Sequence, residues 1–294
     1  MSAMDVIRAG GTPAACAASA GVDHAARAAL GASVLDKLLN IAVAALDPER
    51  PPVVSAAAAR VLLVLSTDVR PKNLAQTPQF AMLIQHCSSG PEESLGARLA
   101  ASQPHGLSPF LLACAVSNAL LFARSGAKRS VQELSAATAQ HKAFAATLVG
   151  PFAEAVASPS FVECSEGYSS SIRYTLRCLA AMIKAVNGEA NAVKIAMYDS
   201  IAGVLPGVLM CLQVYAATPH VVQPVIDVIA AVATSLRCAF SKLYPTFIDD
   251  TIGCFLRICE GDSIAALCRG TNGRPSVLGN FLVSHYTYGA SIHT

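Results

Sequence analysis

Residues 242 to 259 read KLYPTFIDDTIGCFLRIC. Two adjacent carboxylates, Asp249 and Asp250, stand in an otherwise apolar run. Such a pair is either a catalytic or metal-binding device or the wet side of one helix in a stack of helices. Helical spacing favours the stack. Tyr244 and Pro245 mark a helix entrance, with Thr246 in the N-cap position. Phe247, Ile248, Ile252, Phe255, Leu256 and Cys259 then fall on one stripe, and Asp249, Asp250, Gly253 and Arg257 on the other side. Both aspartates lie in the first turn, where the helix dipole favours negative charge, and Arg257 lies near the last turn, where it favours positive charge. Helix electrostatics therefore explains the pair without chemistry. It leaves Asp249, Asp250 and Arg257 as a candidate partner surface, placed by the pairing of this helix with the one before it on the concave side of a helical stack.

The rest of the chain reads the same way. Spacing of three and four predicts a helix over 23–46, through Leu30, Val34, Leu38, Ile41 and Ala45, and a second over 53–66. TDVRP at 67–71 ends the second, because Pro71 disfavours helix at Arg70. Short helices follow over 79–87 and 92–102. A strong one covers 107–125, with Ser108 as N-cap and Pro109 at the first helical position. The segment 130–157 is helical with a break expected at Gly150-Pro151, and 158–167 is a loop. Further helices are expected over 168–186, 190–204, 206–215, 219–240 and 246–260. No segment shows sustained two-residue alternation, so no strand is expected.

Helices of this length joined by short turns cannot bury their apolar faces alone. Antiparallel pairs with a unit of about 40 residues predict an all-α fold, an α-solenoid of HEAT-like pairs, with a compact helical bundle as the alternative. The organisation expected is a disordered tail over 1–21, the solenoid over 22–260 and a weakly structured segment over 261–294.

The chain is 53% apolar and only 14% charged, with a mean hydropathy of +0.49, more apolar than an ordinary soluble domain. Twenty-one basic and nineteen acidic residues give a net charge of +2 without a clustered basic run, which argues against a nucleic-acid binder. From Ile201 to Pro219 no side chain is charged, close to the length that spans a bilayer. Pro206 and Gly207 interrupt that run and Pro219 opens a new helix, so no membrane span is expected; a membrane helical bundle is the competing reading. Ten cysteines include no CxxC pair, and Cys178, Cys211, Cys238, Cys254 and Cys259 sit inside apolar helical patterns, as reduced core thiols do. The seven histidines are scattered, with none at metal-ligand spacing. No Gly-x-Ser-x-Gly, His-Glu-x-x-His or Gly-x-Gly-x-x-Gly occurs, so neither an active site nor a cofactor is expected.

Four segments carry a family resemblance: AAAARVLLVLSTDVRPKNLAQTPQF (56–80), LLACAVSNALLF (111–122), YTLRCLAAMIKAVNG (174–188) and FSKLYPTFIDDTIGCFLRI (240–258). In this order they resemble the carboxy-terminal HEAT repeats of the exportin-six family, in the importin-β superfamily. The most telling features are Val-Arg-Pro after an apolar helix, a Ser-Asn pair before a Leu-rich run, and the Tyr-Pro-x-Phe-Ile entrance. The resemblance implies a non-enzymatic nuclear export receptor that shuttles between nucleus and cytoplasm. It implies protein cargo such as profilin–actin, Ran-GTP and nucleoporins as partners. Receptors of this superfamily are longer than this chain, so a portion of such a receptor, without the amino-terminal repeats where Ran docks, is the expectation.

Overall fold

The computed structural model describes residues 24–71, 74–87, 95–102, 107–123, 130–163, 165–239, 247, 250–254, 256 and 257. The expected tail over 1–21 and the expected weak segment over 261–294 lie outside the described residues. So do Asp249 and Phe255.

The described residues are all-α. Ten α-helices run in order: α1 His24–Ala44, α2 Pro52–Val64, α3 Pro78–Cys87, α4 Leu95–Ser102, α5 Ser108–Leu121, α6 Val131–Ala157, α7 Ser165–Ala185, α8 Asn191–Ile201, α9 Leu205–Val214 and α10 Pro219–Ser235. Residues 247, 250–254, 256 and 257 are also helical. The HEAT-like α-solenoid class expected from the sequence is the one found. The chain divides into two compact units, Met1–Thr147 and Leu148–Thr294.

Proline starts much of this structure. Pro52, Pro109, Pro206 and Pro219 sit in the first turns of α2, α5, α9 and α10, where the absent N–H is not missed. At α6 the start is a capping box: Ser130 Oγ accepts from the Glu133 N–H at 3.2 Å, and a Glu133 carboxylate oxygen accepts from the Ser130 N–H at 2.8 Å. The residues SVQE at 130–133 have the Ser-x-x-Glu spacing that this cap needs. One cap differs from expectation. Ser108 is the first residue of α5 rather than its N-cap, and it is buried.

In the first unit α2 packs most extensively on α5, with the short helices α3 and α4 between them in the chain. After Val64 the helix widens into a π turn over Leu65–Val69 and stops at Arg70, whose N–H donates to Leu65 O at 2.8 Å. Arg70 takes the left-handed conformation, φ 47°, as the residue before Pro71 barred from continuing the helix. Its side chain reaches back: Nε donates to Thr67 O at 2.6 Å, and the guanidinium lies 4.5 Å from the Phe122 ring centroid.

In the second unit α7 packs most extensively on α10. Between them α8 and α9 run on through a 3-10 turn at Ala202–Val204 as one bent element. α7 and α10 are thus first helices of successive pairs, which a stack of pairs lays side by side. Gly207 makes room within this unit, since a Cβ there would lie 3.0 Å from Phe152 Cε1.

The break expected at Gly150-Pro151 is absent. α6 continues through Pro151, although an interior proline costs about 3 kcal/mol. Val149, Phe152 and Ala155 are buried on either side of the proline and hold both turns in place. The α10 helix also ends sooner than expected, at Ser235, followed by a 3-10 turn at Arg237–Ala239.

The buried face of α1 is one residue out of step with the expected stripe. Leu39 and Ala42 are buried, as is Leu46 just after the helix, whereas Leu30 and Ile41 are exposed. The same happens in the last described helical segment: Phe247, Thr251 and Cys254 are buried, at spacings of four and three, while Ile252 and Leu256 are exposed. In both places the apolar residues span more than one face can bury, so the chosen face follows from the shape of its neighbours.

Two helical stretches, Pro52–Val69 and Asn191–Val214, are long and apolar enough to cross a membrane by length and composition. The uncharged run 201–219 is not one straight helix: the 3-10 turn and the turn at 215–217 divide it.

Candidate functional site

Ser117 and His141 form a buried polar pair in the first unit. Ser117 Oγ lies 2.9 Å from His141 Nε2, joining α5 to α6. Both side chains are 0% exposed, so no substrate reaches them. Burial also pushes the His141 pKa down to about 3, which keeps the ring neutral. Next to Ser117, Asn118 Nδ2 donates to Thr67 Oγ1 at 3.0 Å, in the π turn that Arg70 closes. The pair is a polar tie inside the stack. Histidine spacing gave no hint of it, because the partners are 24 residues apart.

The six described cysteines, Cys87, Cys114, Cys178, Cys211, Cys238 and Cys254, are free thiols. Burial pushes Cys87, Cys114 and Cys211 up to about 12, so they stay protonated and unreactive. Among the described residues no group of three or more His, Cys, Asp or Glu could hold a metal ion.

An accessible concavity lies in the second unit. A groove of about 370 Å³ runs between α9 and the helical segment 247–257. Leu205, Pro206, Leu209 and Met210 form one apolar wall, and Phe247 belongs to the other. Gln213, Asp250, Cys254 and Arg257 supply the polar groups. The structure therefore sets Asp250 and Arg257, two of the three residues expected to form a partner surface, on one groove. Both are exposed. Asp249, the third, lies outside the described residues.

The groove has an internal anchor. Cys254 Sγ accepts from Gln213 Nε2 at 3.1 Å and from Arg257 Nη2 at 3.2 Å. This lays the Arg257 side chain back along its own helix, over Gly253, where an added Cβ would stand 3.6 Å from Nη1. The guanidinium keeps donors for another acceptor. The Gln213–Cys254 bond ties this helix to α9. No local signal marked Gln213 as a groove residue, since it lies 41 residues from Cys254 in the chain. The uncharged run that posed the membrane question supplies the groove's apolar wall.

The chain is 26% identical over 244 residues to Exportin-6 of Dictyostelium discoideum. The alignment covers 82% of this chain and 22% of that relative, so the chain spans about a fifth of the relative's length. No protein-family model matches the chain. No solved structure matches it.

Proposed function

We propose that this chain is a segment of a nuclear export receptor, a non-enzymatic helical scaffold that binds protein cargo and shuttles between nucleus and cytoplasm. The carrying observation is the similarity to Exportin-6 along 82% of an all-α, pairwise-stacked chain. Stacked helix pairs present long surfaces without an enclosed pocket, and such surfaces suit distributed protein contacts. The groove bearing Asp250 and Arg257 is a part of that surface with both apolar walls and charge. Profilin–actin is the cargo that the family resemblance implies, with Ran-GTP and nucleoporins as further partners.

The test is a pull-down with the purified chain as bait. The baits are challenged with profilin–actin in the presence of Ran-GTP or Ran-GDP. Retention of cargo that strengthens with Ran-GTP supports the reading. Cargo retention indifferent to the nucleotide restricts it to a scaffold. Absence of both from a folded chain rejects it.

Two long apolar helical stretches support a second reading, a helical bundle in a membrane. Recovery of the chain only in detergent would favour that reading over the receptor.

A further inference from the structure

We propose that the outer face of α2 pairs with the same face of a second copy of this chain, in an antiparallel two-fold contact centred on Val64 that sets Arg60 of each copy against Asp68 of the other. The two sides of α2 differ in what they meet. Ser55, Ala58, Ala59 and Leu62 are buried, and α5 is the helix on which α2 packs most extensively. Half a turn round the helix lie Val53, Ala57, Arg60 and Val64, all exposed. Val53 is 79% open to solvent and Val64 40%. The π turn over Leu65–Val69 is wider than an α turn and advances less per residue, so the exposed Asp68 stays on the side of Val64. Along this stripe the order is apolar, cation, apolar, anion.

The charge order selects the occupant. Arg60 and Asp68 have opposite signs and stand at equal distances in the chain, four residues before and four after Val64. In a two-fold contact residue i meets residue j and j meets i, so a surface must complement itself. Two α2 helices laid antiparallel about an axis at Val64 meet that condition. Each Arg60 then faces an Asp68, the ion pair forms twice, and the two Val64 side chains close together at the axis. A parallel pair would set Arg60 on Arg60 and Asp68 on Asp68, which like-charge repulsion disfavours. Val53 and Ala57 continue the apolar side of α2 beyond Arg60 and add to the area available for the contact. The buried side of the same helix carries two serines and two alanines among its apolar groups and is already taken up within the chain.

The test is sedimentation equilibrium of the full chain over a range of concentrations at low salt. The natural chain is expected to show a reversible monomer–dimer equilibrium. Arg60→Asp and Asp68→Arg each turn both attractive pairs into like-charge pairs, so each alone should weaken the dimer about tenfold. An equimolar mixture of the two variants should recover the natural strength, because the mixed pair again sets opposite charges at both ends. Thermal melts check that each variant is folded. Val64→Glu, which alters neither charge, keeps the test open should Asp68→Arg not fold; it brings two carboxylates together on the axis and should also weaken the dimer. A natural chain that stays monomeric at every concentration overturns the proposal. So does a dimer that Val64→Glu leaves unchanged, since another face then holds it. Weakening by both charge variants that mixing does not restore overturns it too, because the two charges then do not meet. Cargo retention in the pull-down above is read independently, so either reading can fail alone.

Discussion

Ser117 Oγ and His141 Nε2 lie 2.9 Å apart with both side chains closed off from solvent. The folded chain holds this imidazole neutral down to about pH 3, because burial penalises its charge. An unfolded histidine takes its proton near pH 6.5. Between these values the unfolded state binds a proton that the folded state refuses. Stability is therefore full above about pH 6.5 and falls as the pH drops, by up to about 1.4 kcal/mol per unit. Urea titrations at pH 7.5, 6 and 5 should show this slope in the natural chain. In His141→Gln they should show lower stability at pH 7.5 and a shallower slope. An identical slope in the variant would show that other groups control the acid response.

Arg70 closes the π turn from a left-handed backbone, and its guanidinium covers Phe122 at 4.5 Å. Arg70→Ala removes the charge–ring contact and the hydrogen bond to Thr67 while keeping a side chain at positive φ. The expected loss is about 2 kcal/mol. Arg70→Gly should be less damaging than Arg70→Ala, because glycine accepts φ 47° without strain. Chemical denaturation of the two variants ranks them; an alanine variant as stable as the natural chain would remove the structural role of the side chain.

Gly207 sits where a Cβ would come within 3.0 Å of the Phe152 ring, and that ring is fully buried. Gly207→Ala should cost about 1–3 kcal/mol by overpacking, although alanine favours helix more than glycine does. Gly207→Ala combined with Phe152→Leu should recover part of the loss. A stabilised single variant would mean that the ring yields freely.

Thiol chemistry should separate the cysteines. Cys87, Cys114 and Cys211 are buried and pushed up to about 12, so iodoacetamide at pH 8 should leave them unmodified in the folded chain. Cys238 is partly exposed and should react first among the described cysteines. Peptide mapping by mass spectrometry reads the order, and early labelling of Cys114 would contradict the packing of α5.

The helices themselves were legible in the sequence. Prolines at 109 and 219 announced helix starts, Arg70-Pro71 announced a stop, and the structure places both kinds of signal where local sterics require them. These are backbone rules, set by a residue and its immediate neighbours. Pro151 obeyed a different influence: buried side chains on both sides carried the helix past it. What only the tertiary structure decided is which face each helix buries and which distant residues meet. Along α1 and the 247–257 segment apolar side chains fall on more than one stripe, so periodicity alone offered alternatives of similar apolar content. Close packing chose among them by shape, since a core at crystal-like density accepts only one interdigitation. The same docking brought Ser117 to His141 across 24 residues and Gln213 to Cys254 across 41. Asp250 and Arg257 were visible in the sequence as one helix's polar side; the groove they share exists because α9 supplies its opposite wall.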